Sequence, residues 1–343
     1  MNLRWSFAVL LPVMLLGAGL AGCASPVQLS HGEQRHVSTQ TFVVTGASSG
    51  FGRGVALKLG SYGSNVVLAA RRKEVLEQVA AEVRAAGGTP LVVATDVSRP
   101  DNIERLAAAA MRRFGRIDVW INNAGVGAIG RFEDVPLRDY DRVIDIKLKG
   151  VVYGSHTAMR LFRRQGFGTI VNISSVEGEV PLAYQAIYSA SKHAVNGLGA
   201  ALNQELRLSR LETIKVVTVM PWAADTPFFE HAANYSGGTP RMILMDDPQT
   251  VVDTIVSASI YPRKEVAVGW KAQAAVTAHR LLPNLTEQIA ADAYHRVQIE
   301  TAPPSPPTSG TLHQPMRSGT TVEGGVRERM RQEDQQRLER YGS

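Results

Sequence analysis

The chain has 343 residues, of which 44% are hydrophobic and 20% charged, so it has enough apolar side chains for a folded core and is not disordered throughout. Its 37 basic and 31 acidic residues leave a formal net charge of +6. No dense basic run with interleaved aromatic residues is present, so we expect no nucleic-acid partner. The only cysteine, Cys23, excludes an intramolecular disulfide, a cysteine-based zinc cluster and a cysteine nucleophile in the core. The sequence predicts no metal site.

The first 22 residues are similar to an export signal. A single cation, Arg4, precedes a long uncharged run, and small residues precede Cys23. Residues 20–23 resemble the lipobox of bacterial lipoproteins, whose cysteine is acylated and becomes the mature N-terminus. We therefore predict a signal peptide over 1–22, lipidation at Cys23 and a membrane-anchored location in the bacterial cell envelope.

Three alternatives for this segment stay open. The 26 residues between Arg4 and His31 carry no charged side chain, which is long enough for an uncleaved transmembrane helix. An anchor that leaves the domain facing the cytoplasm, or a misassigned start codon, would also account for the extension.

The rest of the chain divides by composition into four parts. Residues 23–40 are polar and aperiodic, which predicts a tether, and residues 41–270 are predicted to form the folded domain. Residues 271–300 are predicted as a helical extension. A Pro-rich and charged tail, 301–343, has few apolar anchors and is predicted to be disordered.

Short β-rich runs alternate with amphipathic helical runs in the domain, a pattern typical of βαβ units and a parallel sheet. Helical stripes are seen, for example, at Val75, Val79 and Val83. The predicted strands are Phe42 to Thr45, Asn65 to Ala69, Leu91 to Thr95, Asp118 to Ile121, Thr169 to Ser174, Lys215 to Val219 and Glu265 to Val268. We thus expect an α/β fold with a doubly wound, mainly parallel seven-stranded sheet and helices on both faces.

A glycine-rich turn follows the first strand and precedes the first helix of the domain. Glycines at such a turn let the backbone approach a pyrophosphate, whose charge is met by free N–H groups at the helix N-terminus. The predicted dinucleotide-binding residues here are Thr45, Gly46, Ser48, Ser49, Gly50, Phe51 and Gly52.

The end of the second strand indicates which dinucleotide is bound. An acid here would accept hydrogen bonds from a ribose 2′-hydroxyl, whereas an arginine suits a 2′-phosphate. Arg71 stands at this place and no acid occurs before Glu74, so we predict NADP(H) as the cofactor.

These motifs together resemble the short-chain dehydrogenase/reductase family, and the resemblance covers about residues 41–270. It implies a Rossmann-like fold and further cofactor contacts along the chain. The residues that match the family's adenine-binding pair, its NNAG turn and its nicotinamide-side PGxxxT segment are Asp96 and Val97, then Asn123, Ala124 and Gly125 after Asn122, and then Pro221 and Thr226.

Three residues form a candidate catalytic group. Tyr188 and Lys192 stand four apart on a predicted helix, so they share a face, and a nearby ammonium is expected to lower the tyrosine pKa. A tyrosine poised in this way exchanges a proton with an alcohol or carbonyl oxygen, and Ser175 can hydrogen-bond the same oxygen. In the family that the chain resembles, this tyrosine is the acid/base, the lysine also binds the ribose, and the serine polarises the substrate.

Two residues depart from the family pattern. Lys147 stands where an asparagine usually helps to hold a proton-relaying water, and an ammonium cannot replace an amide that both donates and accepts. We therefore do not count Lys147 among the catalytic residues. Trp222 follows Pro221 where glycine is usual, so its indole either shapes the nicotinamide side of the pocket or turns outward.

The sequence predicts an NADP(H)-dependent oxidoreductase that transfers hydride between the nicotinamide and a small-molecule substrate, an apolar alcohol or carbonyl compound. The membrane is a predicted partner through the lipid anchor, and a homo-oligomer is left open. The alternative is a catalytically weak, membrane-tethered NADP(H)-binding sensor or scaffold. Lys147 and a location away from cytoplasmic NADPH favour that alternative.

Overall fold

The computed structural model describes residues 29–341. The predicted signal peptide, Cys23 and the first part of the predicted tether lie outside these residues. The predicted α/β fold is confirmed, because a parallel seven-stranded sheet in the order β3-β2-β1-β4-β6-β7-β9 carries helices on both faces. The strands are β1 Thr41–Thr45, β2 Asn65–Ala70, β3 Thr89–Ala94, β4 Val119–Asn122, β5 Ala128–Ile129, β6 Gly168–Ile173, β7 Ile214–Met220, β8 Ala233–Asn234 and β9 Glu265–Ala267.

Helices connect the strands and extend the chain beyond the sheet. A π-helical segment, Asp145–Lys149, joins the helix that ends at Ile144 to the helix that begins at Gly150, and a second one, Arg296–Glu300, follows the helix that ends at His295. The helices are α1 His31–Ser38, α2 Gly50–Ser61, α3 Lys73–Ala85, α4 Pro100–Phe114, α5 Leu137–Ile144, α6 Gly150–Gln165, α7 Ala186–Leu208, α8 Phe228–His231, α9 Pro248–Ile260, α10 Gly269–Leu281, α11 Pro283–His295 and α12 Val326–Tyr341.

The central strands are apolar along their whole length because both faces of the sheet are covered. Successive side chains of a strand point to opposite faces. In β1, Phe42 and Val44 pack into one core cluster with α2, α3 and α9, whereas Val43 packs into the other with α4 and α6. This double burial explains why the strands read as continuous β-branched runs and not as alternating ones.

The sheet also fixes where a ligand can bind. The chain enters the sheet at β1. It then adds β2 and β3 on one side of β1, and returns to form β4 on the other side. The connections after β1 and β4 therefore diverge at the carboxyl edge of the sheet. This divergence leaves a crevice of the kind in which open α/β sheets bind ligands.

The predicted tether is helical in its described part. Residues His31–Ser38 form α1, which begins with a reciprocal cap: the Ser30 Oγ accepts from the Glu33 N–H at 3.3 Å, and the Glu33 carboxylate accepts from the Ser30 N–H at 2.7 Å. Val37, fully buried, joins the core. The tether interpretation missed this capping box because it relied on the absence of an apolar period.

The predicted disordered tail is also ordered in the structure. Residues 301–325 run across the carboxyl edge of the sheet, and α12 follows them. The fully buried Arg241 fixes this region, since its guanidinium donates to the Thr301 carbonyl at 3.1 Å, the Met330 carbonyl at 3.2 Å and Asp334 at 2.7 Å. The helical extension predicted for 271–300 corresponds to α10 and α11. Within residues 29–341, no helix is both long and apolar enough to cross a membrane.

Candidate active site

A large cavity of about 1390 Å³ opens at the carboxyl edge of the sheet. All three predicted catalytic residues line it, and so do most of the predicted cofactor-binding residues. Thr45 and Gly52 do not reach the cavity. The cofactor-binding residues that line it are Gly46, Ser48, Ser49, Gly50, Phe51, Arg71, Asp96, Val97, Asn123, Ala124, Gly125, Tyr188, Lys192, Pro221 and Thr226.

Thr45 and Gly52 support the glycine-rich turn from behind. The Thr45 hydroxyl accepts from the backbone N–H groups of Asn123 and Ala124, at 3.0 and 3.1 Å, which holds the turn after β1 against the turn after β4. A Cβ at position 52 would lie 2.3 Å from the Gly46 carbonyl oxygen. Only glycine therefore allows α2 to begin this close to the end of β1.

Arg71 and Arg72 follow β2 at one end of the cavity. The Arg71 guanidinium donates to the carbonyls of Thr311, at 2.5 Å, and Leu312, at 3.1 Å. Arg72 lies beside the glycine-rich turn, with 3.0 Å contacts to the hydroxyls of Ser48 and Ser49. Both arginines thus face the place where a dinucleotide's adenosine half would lie, and both are paired with neutral acceptors.

The Asp96–Val97 pair lies next to these arginines. The Asp96 carboxylate accepts from the Ser98 N–H at 3.0 Å and from the Arg142 guanidinium at 2.7 Å. These bonds and the Arg142 charge outweigh desolvation and hold the pKa of Asp96 below its usual value. Val97 packs against Gly150 at the start of α6.

The three predicted catalytic side chains meet at the middle of the cavity. Ser175 lies two residues after the end of β6, where its Oγ accepts from the Glu177 N–H at 3.1 Å. Lys192 is buried one helical turn after Tyr188, and its ammonium donates to the Ile173 carbonyl at 2.6 Å. The Lys192 Nζ lies 5.6 Å from the centre of the Tyr188 ring.

Two further titratable groups complete this cluster, and neither is among the site residues that the sequence predicts. The Lys147 Nζ lies 4.6 Å from the Tyr188 ring centre and packs so closely against Gly125 that a Cβ there would be 2.3 Å away. The Glu177 carboxylate accepts from the Ser189 hydroxyl at 2.8 Å. Lys147 was noticed only as a departure from a motif, and Glu177 belongs to no motif that we used.

Burial shifts the pKa values of Lys147, Glu177 and Lys192 in the direction that favours the neutral form. Desolvation raises the pKa of Glu177 to about 7 and lowers the pKa of Lys192 to about 8. Desolvation, followed by the charge and hydrogen bond of Lys192, holds the pKa of Lys147 well below its usual value. A neutral Lys147 amine has a lone pair, so it can accept a hydrogen bond as well as donate.

The expected lowering of the tyrosine pKa is not seen in this structure. Desolvation and then the Glu177 charge raise the pKa of Tyr188, and the Ser175 hydrogen bond opposes them only in part. Lys192 does not reverse the shift, because its ammonium is directed to the Ile173 carbonyl. In this arrangement Tyr188 holds its proton, which suits a proton donor.

The far end of the cavity is apolar. Trp222 turns toward α10 and packs with Val176, Val180 and Ala272, so it shapes the cavity wall. Phe228 packs edge-on against the Tyr188 ring, with 5.6 Å between the ring centres. The segment after β7 therefore forms an ordered wall beside the catalytic group. Among residues 29–341, no three His, Cys, Asp or Glu side chains are grouped to hold a metal ion.

Comparison with known proteins gives a consistent result. Residues 40–235 match the family described as short chain dehydrogenase. The chain is 30% identical over 282 residues to an uncharacterized oxidoreductase, YxnA, of Bacillus subtilis, which covers 81% of this chain and 79% of that protein.

Solved structures are similar over the same region. A metagenomic short-chain oxidoreductase in complex with NADP has 32% identity and a TM-score of 0.55, covering 66% of this chain and 96% of that one. An alcohol dehydrogenase of Thermococcus sibiricus, complexed with 5-hydroxy-NADP, has 25% identity and a TM-score of 0.56, covering 67% and 93%. The fold, the order of its motifs and these matches agree, and the chain belongs to the short-chain dehydrogenase family of oxidoreductases.

Proposed function

We propose that this protein is an NADP(H)-dependent oxidoreductase that interconverts an alcohol and a carbonyl compound. The single observation that carries the proposal is that Ser175, Tyr188 and Lys192 meet in the same cavity as the dinucleotide-binding turn. The NADP complexes of two similar proteins and the placement of Arg71 support the choice of dinucleotide. Bound at this site, the nicotinamide would supply or accept the hydride.

The residues of the chain act on the substrate oxygen. Ser175 donates a hydrogen bond to a carbonyl oxygen and stabilises the negative charge that develops there. Tyr188, which holds its proton in this environment, donates it to the same oxygen during reduction. Lys192 orients the tyrosine and, as the family resemblance implies, binds the ribose; its depressed pKa makes it a competent source of the next proton.

The sensor alternative is not favoured by the arrangement of these side chains. A protein that only bound dinucleotide would have no need of a tyrosine, a serine and a lysine meeting at one point of the cavity. The departure at Lys147 does not by itself favour the sensor, since desolvation shifts the pKa of Lys147 toward the neutral amine, a form that both donates and accepts hydrogen bonds.

Tyr188→Phe tests the proposal. The variant keeps the ring but removes the transferable proton, so NADPH binding should persist while kcat for carbonyl reduction falls about a hundred- to ten-thousandfold. The measurement is NADPH absorbance with a panel of aldehydes and ketones, with Tyr153→Phe on α6 as a matched control. A variant as fast as wild type would reject the mechanism.

We also propose that Cys23 anchors the protein to the cell envelope through lipid. The lone cysteine at the end of an uncharged segment supports this proposal. Cys23→Ser should abolish incorporation of labelled fatty acid and removal of residues 1–22. If the wild-type protein keeps residues 1–22 and takes up no fatty acid, the uncleaved anchor replaces the lipoprotein interpretation.

A further inference from the structure

Helices α10 and α11 form one wall of the cavity, and the space along them, which we call the channel, is lined mainly by apolar side chains beside the polar Lys271, Thr286 and Asp292. Ala274 and Ala278 on α10, and Leu285, Ile289 and Ala293 on α11, line the cavity at spacings of four residues. Each helix therefore presents one stripe to the space between them. Small side chains on α10 leave room, and larger ones on α11 provide contact area.

The mouth of this channel is apolar as well. Leu244, Trp270, Leu282 and Leu285 line the cavity and are nevertheless 56%, 54%, 51% and 42% exposed. Large apolar side chains that surround an opening and continue into an apolar channel mark a ligand-binding surface. The cavity, about 1390 Å³ in all, includes both the predicted dinucleotide site and this channel.

We propose that the substrate is a long-chain aldehyde, ketone or alcohol whose alkyl chain lies between α10 and α11 and reaches the mouth. This proposal rests on the proposed function and specifies its substrate class. The reacting oxygen would meet Ser175 and Tyr188, while each added methylene would remove apolar surface from water along the channel.

A series of straight-chain aldehydes with four to twelve carbons tests this proposal. One buried methylene contributes about 0.8 kcal/mol, so kcat/KM with NADPH should rise about three- to fourfold per added carbon until the channel is filled. A flat or falling series would overturn the proposal. If no aldehyde of any length is reduced, it is the proposed function that fails.

Variants at the mouth sharpen the test. Leu285→Glu and Trp270→Glu should lower kcat/KM at least about tenfold for the twelve-carbon aldehyde and less than about twofold for the four-carbon one. Leu208→Glu is the matched control, because Leu208 is 72% exposed at the end of α7 and does not line the cavity. Equal effects on both aldehydes, together with a change of oligomeric state, would identify the mouth as an interface between copies and overturn the proposal.

A second inference rests on residues 311–326, which we call the strap. Thr311 and Leu312 pair with Arg71 at the adenosine end of the cavity. Farther along, the Thr321 carbonyl accepts from the Gly50 N–H at 2.9 Å, at the start of α2.

The strap then reaches the nicotinamide end. The Gly324 N–H donates to the Asp225 carbonyl at 3.0 Å, and the Val326 N–H donates to the Asp225 carboxylate at 2.7 Å. Asp225 directly precedes Thr226 of the predicted nicotinamide segment. The strap thus follows the whole length of the predicted dinucleotide site, from Arg71 to Thr226.

The strap forms part of the cavity wall. Thr311, Pro315 and Met316 line the space, which stays large with the strap in place. Lifting the strap away from a bound dinucleotide would require several backbone hydrogen bonds to break together.

We infer that the strap retains the dinucleotide between turnovers, so that the protein carries it as a resident group. This inference also rests on the proposed function. It concerns the rate of release and not the chemistry, so a protein that binds NADPH but releases it quickly would overturn the strap proposal alone. A protein that binds no dinucleotide would overturn the proposed function.

Gly324→Ala tests the strap. A Cβ at this position would lie 2.3 Å from the Thr226 carbonyl oxygen, so the strap must shift outward. The release of NADPH from the full chain, followed by nicotinamide fluorescence during a chase with excess NADP⁺, should accelerate at least about tenfold. Gly325→Ala is the control: its added Cβ meets nothing within 4 Å, so it reports the strain of a side chain at a φ of 69° without the clash against Thr226.

Amide hydrogen exchange on the unaltered chain provides a second measurement. Addition of NADP⁺ should slow exchange over residues 311–326 at least about tenfold, because a wall in contact with a bound ligand opens less often. Unchanged exchange, or equal NADPH release from wild type and both glycine variants, would overturn the inference. Tighter NADPH binding by Gly324→Ala would show a strap that competes with the dinucleotide and would overturn it too.

Discussion

The two ends of the cavity differ in the partners and in the pKa values of their titratable side chains. At the adenosine end, Arg71 and Arg72 are cationic groups that face neutral backbone carbonyls and hydroxyls. At the catalytic end, two lysines and a glutamate share one enclosed space, and their pKa values shift toward the neutral forms. Cations paired with weak acceptors remain available to an anion, whereas groups close to neutrality remain available for proton transfer.

The largest effect that would break this comparison is expected from Arg71→Ala. A charge-assisted contact to a 2′-phosphate contributes about 1.5 to 3 kcal/mol, so the preference for NADPH over NADH should fall about ten- to a hundredfold. Titration of both dinucleotides measures it, with Arg84→Ala on α3 as control. If Arg71→Ala only damaged the strap, the affinities for NADPH and NADH would fall equally. Equal affinities for the two dinucleotides in the wild type would refute the assignment of NADPH.

The Lys147→Asn variant tests the role of the lysines at the catalytic end of the cavity. If the Lys147 amine already serves the proton relay, an amide in its place should change kcat less than about tenfold, which is smaller than the loss expected when an acid/base group is removed. Lys149→Asn, which loses only an exposed pair with Asp145 at 2.7 Å, is the matched control. A variant that gains turnover where the wild type has none would support the sensor alternative.

The smallest expected effect is on how the free energy of unfolding changes with pH. Because the pKa of Glu177 is raised from 4.5 to about 7, the folded chain keeps a proton that the unfolded chain loses within this window. The free energy of unfolding should therefore fall by about 1–2 kcal/mol as the pH rises from 4.5 to 7, after allowance for water in the open cavity. Glu177→Gln should remove this component.

Urea unfolding at pH 5 and pH 7.5 measures the difference. Glu179→Gln, two residues away, provides the same change of charge at the Arg280 contact of 3.5 Å. If wild type and Glu177→Gln respond identically to pH, Glu177 titrates in the folded protein as it does in the unfolded chain.

The strands, the glycine-rich turn and the catalytic residues were predictable because short sequence patterns specify them. The strands were predictable because double burial makes them β-branched along their length, and the glycine-rich turn was predictable because Gly46 and Gly52 are required by a close backbone approach. The positions of Ser175, Tyr188 and Lys192 followed from motif order. Each of these signals lies within a few residues of the structure that it specifies.

The strap was not predictable for the opposite reason. Its contacts use backbone carbonyls and N–H groups, which every residue type supplies, so no pattern of side chains marks it. The partners that would have revealed it, Arg53, Arg71 and Arg72, were assigned to other roles or to none. The pKa of Tyr188 was mispredicted because the direction of the Lys192 ammonium and the position of Glu177 depend on tertiary packing.

The pairing of Arg53 with the Thr320 carbonyl joins residues 267 positions apart in the chain. During synthesis, the sheet can form long before the ribosome adds the strap, and the long loop that the strap must close makes this a late step. We expect a nascent or C-terminally truncated chain to have a formed sheet but an open nucleotide crevice. Truncation within the strap therefore bears directly on whether purified protein arrives loaded or empty.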